Sequence, residues 1–305
     1  MNEKYKLIKA IKHPEWVLGV ILRRCFASRM NDRTFIKWEY FSGMKKFPNL
    51  KNPQTYNEKL QWLKLNDIHP EYAEMVDKAT AKEYVSRIIG EEYIIPTLGV
   101  WDTFDDIDFD KLPNQFVLKT THDSGGVVVV SDKSKFDKVV AKKKLEKSLS
   151  NNYFLQHREY PYKDIKPRIL AEEFMVDESG TELKDYKFFC FNGKCKMLFI
   201  ATDRSIGDVK FDFFDTDFNH LSFKQGHPWA TKDIKKPVGF DKMIELSERL
   251  SKDLPHVRVD LYDINGKVYF GELTFFHFSG NVPFEPEEWD YKVGGWLKLP
   301  NNYKL

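Results

Sequence analysis

The sequence predicts an α+β fold. Apolar residues recur at helical spacing through the first part of the chain, short apolar runs fill its centre, and Asn192-Gly193 and Asn265-Gly266 mark two hairpins in the second half. At 305 residues the chain has room for about two domains, and 42% hydrophobic with 15% aromatic residues supplies a substantial core. Lys+Arg 48 against Asp+Glu 46 gives a net charge of +2, without the basic excess of a nucleic-acid binder. Three cysteines, Cys25, Cys190 and Cys195, are too few for a disulfide framework and contain no C-x-x-C pair, which points to a reducing compartment. The apolar run from Trp16 to Leu22 is shorter than the ~20 residues a membrane span needs. A cytoplasmic protein is expected.

Short helices are expected over the first 65 residues, from the spacing of Trp16, Val20 and Cys25, of Phe35, Trp38 and Phe41, and of Leu60 and Leu63. The stretch from Lys4 to Arg29 is basic and apolar together. Its simpler reading is a helix packed on the protein's own core, and its alternative is a helix lying on an anionic membrane surface. Met75 to Ile89 reads as one helix with Gly90 as its stop. Phe116 to Lys119, Val127 to Val130 and Arg168 to Phe174 read as buried strands, and Lys133 to Leu149 and Asp241 to Leu254 as amphipathic helices.

Two segments carry chemistry. Between two apolar strands, Lys119 is followed by Thr120-Thr121-His122-Asp123-Ser124-Gly125-Gly126, a loop whose N–H groups can cradle phosphate oxygens; an ordinary glycine hairpin is the plainer reading. The Walker and G-x-G-x-x-G patterns are absent. In the second hairpin, a two-residue Asn265-Gly266 turn would pair Val259 with Glu272 and mix charged with apolar residues on each face. A three-residue loop Ile264-Asn265-Gly266 instead pairs Val257 with Leu273, Val259 with Gly271 and Leu261 with Tyr269. Arg258, Asp260, Glu272 and Thr274 then share one face, a patch of hard oxygen donors suited to Mg²⁺, or else a solvated ion-pair face. In the first hairpin a two-residue turn pairs Cys190 with Cys195, Phe188 with Met197 and Tyr186 with Phe199, with Lys187 on the other face.

The segments Leu50 to Trp62, Phe116 to Gly126, Asp185 to Gly193 and Arg258 to Phe275 together resemble the TupA-like branch of the ATP-grasp superfamily, associated with surface-polysaccharide biosynthesis. The resemblance implies two lobes clamping ATP with Mg²⁺: a helical N-terminal region over 1–70, a first lobe over 71–172 and a second over 173–305. It also implies an ATP-dependent carboxylate–amine ligase acting through an acyl phosphate. By the same resemblance Lys78 and Lys119 reach the phosphates, and Thr121, His122, Asp123, Ser124, Gly125 and Gly126 form the closing loop. Glu172 and Glu173 stand at the adenine hinge, Asp185 or Glu182 at the ribose, and Lys187 along the phosphates. Arg258 steadies the transferring group, and Asp260, Glu272 and Thr274 hold metal, although asparagine is commoner at the last position. Arg204 is a weaker phosphate candidate, and His277 stands where relatives bind the acceptor.

The partners implied are a small-molecule or lipid-linked sugar acid and an amine, with peripheral contact at the inner membrane surface through the basic segment. The rival reading is a glycosyltransferase using a nucleotide sugar, from the short D-x-D patterns Asp106-Ile107-Asp108 and Asp215-Thr216-Asp217.

Overall fold

The computed structural model describes residues 14–177, 183–203 and 207–300. Helices come first among the described residues, as their spacing predicts. They are α1 (Pro14–Ile21), continued by a π-turn over Leu22–Phe26, then α2 (Asp32–Met44) and α3 (Tyr56–Asn66). Asn31 caps α2 by accepting the Thr34 N–H, and Thr55 with Glu58 forms a capping box at the start of α3. The beginning of the basic segment, together with Glu182 and Arg204, lies outside the described residues.

The single helix expected over Met75 to Ile89 is two, α4 (Tyr72–Val76) and α5 (Thr80–Ile89). Asp77 takes extended backbone between them, and its carboxylate accepts the N–H groups of Ala79 (2.8 Å) and Thr80 (3.1 Å). A short acidic side chain that binds nearby amides competes with helix continuation in this way. Lys78 therefore sits in the break and not on a helix, while Gly90 ends α5 at φ +117°, as expected.

Strands β1 (Thr97–Trp101), β2 (Phe116–Thr120), β3 (Val127–Val130) and β4 (Ile169–Glu173) form an antiparallel sheet in the order β1-β4-β2-β3. Helix α6 (Lys138–Leu149) covers one of its faces, burying Ala141 and Leu145 with Phe116, Leu118, Ile169 and Ala171. Because side chains alternate along a strand, Lys119 and Glu172 stand on the opposite face. Helix α7 (Tyr153–His157) follows α6.

The second sheet is larger. It contains β5 (Asp185–Phe191), β6 (Lys194–Thr202), β7 (Lys210–Asp215), β9 (His256–Ile264) and β10 (Lys267–Thr274) in the order β10-β9-β5-β6-β7, all antiparallel. Strands β8 (Lys224–Gln225) and β11 (Phe284–Glu285) pair separately. Helix α8 (Phe240–Leu250) contributes Phe240, Met243, Leu246 and Leu250 to one core with Phe188, Val259 and Leu261, and the chain closes with α9 (Glu288–Trp296). Leu60, Leu63, Val76, Val85 and Ile89 join that core, so α3, α4 and α5 pack with the second sheet although they precede the first in the chain.

Both hairpin registers differ from expectation for one reason. Each turn is a two-residue Asn-Gly turn with both residues at positive φ (49° and 77°; 55° and 85°), and each is followed by a one-residue bulge. In the second hairpin Phe270 faces Leu261 and Glu272 faces Asp260, so Gly271 is the extra residue; Leu273 then faces Val259 and Thr274 faces Arg258. The charged residues reach one face through this bulge, and no three-residue loop is needed. In the first hairpin Cys190 faces Cys195 as expected, but the bulge at Lys196 sets Phe188 against Leu198 and Tyr186 against Ile200. Both cysteines are buried and unbonded.

Candidate functional site

A cleft of about 380 Å³ lies between the two sheets. The first sheet and its preceding break supply Lys78, Lys119 and Glu172, and the second supplies Asp185, Lys187, Arg258, Tyr262 and Glu272. The registers explain the assembly. Lys187 of β5 stands opposite Asp260 of β9, which stands opposite Glu272 of β10, so cation, anion and anion form one row across three strands.

Arg258 holds this row together. Its Nε and Nη2 donate to the two oxygens of Asp260 (2.7 and 2.8 Å), and Nη2 also reaches Glu272 Oε1 (3.2 Å) and Thr274 Oγ1 (2.9 Å). Lys187 pairs with Asp260 and lies 3.4 Å from Asp185. Burial tends to raise the Glu272 carboxyl, but Lys187, Lys78 and Arg258 outweigh it and hold the group at about 2. Burial raises Asp260 above the usual carboxylate range despite Arg258 and Lys187. The patch is thus neither a solvated face nor a bare oxygen cage, since its charges are largely neutralised from within.

Lys119 pairs with Glu172, which also takes Lys82 at 2.8 Å. Burial acts against the Glu172 carboxylate, and Lys119 and Lys82 reverse that and lower it. Glu172 is therefore a fixed counterion at the cleft wall, while Glu173 is exposed and outside the cleft lining.

The loop after β2 also departs from expectation. Thr121, His122 and Asp123 are buried; His122 Nε2 meets the Asn151 carbonyl (3.0 Å), and the Asp123 carboxylate accepts from Thr120, Ser148 and the Gly126 N–H. His122 and Asp123 brace the loop from below through these bonds, Thr121 is tied by its backbone to Arg168 and Lys78, and Ser124 is the loop residue that lines the cleft. Gly125 is exposed. A Cβ on Gly126 would lie 2.0 Å from Thr120 Oγ1 and 2.4 Å from Ser148 Oγ, so the brace requires glycine there. Lys78 Nζ donates to the Asp123 carbonyl, linking the helix break to the loop. Burial lowers Lys78, with Glu272 and Asp123 opposing it.

Magnesium takes one or two carboxylates and completes its shell with water and phosphate oxygens. Glu272, 39% exposed at its side chain, meets that minimum. Asp260 is more enclosed, its side chain 1% exposed and its oxygens engaged by Arg258 and Lys187, and Thr274 Oγ1 accepts from Arg258. Among the described residues no group of three or more His, Cys, Asp or Glu side chains could hold a metal unaided.

Some of the lining was missed in the sequence. Tyr262 follows Asp260 on the same strand face and so carried a signal. Phe199, Phe211 and Phe278 wall the far end and carried none. His277 is buried there, and its Nδ1 accepts from Arg258 Nη1 (2.8 Å), which places the remaining proton of the neutral ring on Nε2. Burial, Arg258 and Lys187 hold His277 far below its usual value.

The D-x-D carboxylates lie elsewhere. Asp106 caps Thr103, Asp108 caps Asp110, and Asp215 accepts the N–H groups of Asp217 and Asn219; none lines the cleft.

Solved structures similar to this chain include D-alanine–D-alanine ligase from Bacillus anthracis complexed with ATP (16% identity, 66% of this chain and 54% of that one, TM-score 0.39). The Helicobacter pylori D-alanine–D-alanine ligase gives 18%, 74%, 61% and 0.40, and the ATP-grasp ligase PsnB complexed with minimal precursor, Mg and ADP gives 8%, 79%, 58% and 0.36. This chain spans between half and two thirds of the length of each. No curated protein matches it. The model of the TupA-like ATP-grasp family matches residues 58–298, a span that holds both sheets and every cleft residue named above, and the chain belongs to that family.

Proposed function

We propose that this protein is an ATP-dependent ligase that joins a carboxylate to an amine through an acyl phosphate. Family membership supports the ATP-dependent ligase class. One observation carries the finer reading: Lys119 of one sheet, Lys187 and Arg258 of the other, and Lys78 of the helix break converge with Glu272 on one cleft. A triphosphate needs several cations, and a carboxylate needs activation, since at neutral pH it repels nucleophiles. Phosphoryl transfer to a carboxylate oxygen leaves ADP and a mixed anhydride. The amine nitrogen then attacks the carbonyl carbon, the C–O bond to phosphate breaks, and the nitrogen loses a proton to solvent.

In this reading Lys119, held in place by Glu172, and Lys78 bind phosphate oxygens from one wall. Lys187 and Arg258 neutralise the transferring group from the other. Glu272 is the carboxylate that would hold Mg²⁺, which when bound supplies further neutralisation of the phosphates. Ser124 stands at the mouth of the cleft. The carboxylate is a sugar acid or amino acid of surface-polysaccharide assembly, on the family resemblance alone.

The test is nucleotide release with ATP, Mg²⁺ and pools of uronic acids, amino acids and amines. ADP and phosphate released only when acid and amine are both present supports the ligase. A nucleoside diphosphate released from a nucleotide sugar instead, or no dependence on added acid, overturns it.

A further inference from the structure

The helical N-terminal region presents a surface that the cleft does not use. Trp38 packs edge-on against Phe41 and Phe47 (centroids 6.0 and 5.1 Å apart), which stack on each other at 4.9 Å, outside every buried apolar cluster. Trp38 is 40% exposed and Phe47 52%; on the neighbouring α1 and its π-turn, Ile21 and Phe26 are 43% and 44% exposed. Large apolar side chains at this exposure, gathered together, mark a surface meant to be covered.

The surrounding charge says by what. Between residues 14 and 47 there are three acidic residues, and each is engaged: Glu15 with Lys45, Asp32 with Arg158, and Glu39 with Arg23 and His157. Arg24, Arg29, Arg33 and Lys37 are exposed and make no ion pair among the described residues. Arg33, Lys37 and Phe41 recur at i, i+4 and i+8 on α2, so cations and aromatics share one helix face. We infer that this face docks on an anionic lipid surface, its rings entering the headgroup region and its four unpaired cations meeting lipid phosphates. Helix α2 also packs on the segment that follows His277, since a Cβ on Gly43 would lie 2.2 Å from the Asn281 carbonyl.

Sedimentation of the full chain tests this with vesicles of phosphatidylcholine containing about 30% phosphatidylglycerol, against phosphatidylcholine alone, at low and high salt. The chain is expected to pellet with the anionic vesicles at low salt only. Arg33→Gln/Lys37→Gln should weaken binding roughly twenty-five-fold, at about fivefold per cation, and Trp38→Ala/Phe47→Ala should weaken it severalfold, with unchanged melting and ATP-induced stabilisation in both. No binding to anionic vesicles, equal binding to neutral ones, or wild-type binding by both variants overturns the inference. A soluble protein partner for this face would give the first of these results. The readout is independent of nucleotide release, so either reading can fail alone.

Discussion

Lys119 shows how a single side chain can be both anchored and available. Its partner Glu172 keeps a second cation, Lys82, so removing Lys119 leaves no unpaired charge in the wall. Lys119→Met is expected to lower ADP release at least about a hundredfold, the scale of losing one preorganised charge contact, with a stability change of only about 1–2 kcal/mol. Urea unfolding beside the nucleotide assay separates the two, and near-normal turnover would remove Lys119 from the site. His256 makes a prediction about pH. Its Nδ1 donates to the Cys190 carbonyl (2.8 Å) and its Nε2 accepts from Tyr56 (2.9 Å), which keeps the ring neutral. Burial lowers it to about 4, against the raising effect of the Cys190 bond. The unfolded chain, with an ordinary histidine near 6.5, takes its proton first. Stability from this group is therefore intact above about pH 6.5 and falls by up to about 3 kcal/mol as pH drops towards 4. Denaturation at pH 7.5, 6 and 5 should show that slope, and His256→Gln should flatten it; an equal slope in the variant refutes the assignment.

At the scale of elements, the two hairpins teach the same lesson. Alternation along β9 and β10 was enough to place Arg258, Asp260, Glu272 and Thr274 on one face, and that face is the observed one. The register was not legible, because a bulge restores alternation as well as a longer loop does, and no local pattern separates them. Gly271 was the available clue, since a glycine within a strand often marks a bulge or a close approach. A Cβ there would lie 3.0 Å from the Asp260 carbonyl and 3.1 Å from the Tyr262 ring. Gly271→Ala should cost about 1–3 kcal/mol in overpacking and reduce turnover further by moving Glu272 against Asp260. An unchanged denaturation midpoint together with normal kcat would show that the bulge tolerates a side chain. The break at Asp77 belongs here too: periodicity over Met75 to Ile89 reads as continuous because the interruption spans a few polar residues and leaves the apolar face in phase.

For the molecule as a whole, the cleft is walled by both sheets, so a ligand bridging them stabilises the lobes together. ATP with Mg²⁺ should raise the thermal transition as a single step and UDP-sugars should not. A shift with UDP-sugars alone would favour the rival transferase despite its D-x-D carboxylates serving as turn caps. The sequence by itself determined the α+β class, the early helices, the places of the two hairpins and the first Asn-Gly turn, because these follow from spacing and side-chain chemistry over a few residues. Only the tertiary structure decided which of them meet. It turned Glu173 and the side chains of His122 and Asp123 away from the cleft, closed Asp260 and Thr274 behind Arg258, and brought up Phe199, Phe211 and Phe278. Those outcomes depend on pairings between strands far apart in the chain, whose energies lie in burial and charge neutralisation that local pattern does not encode.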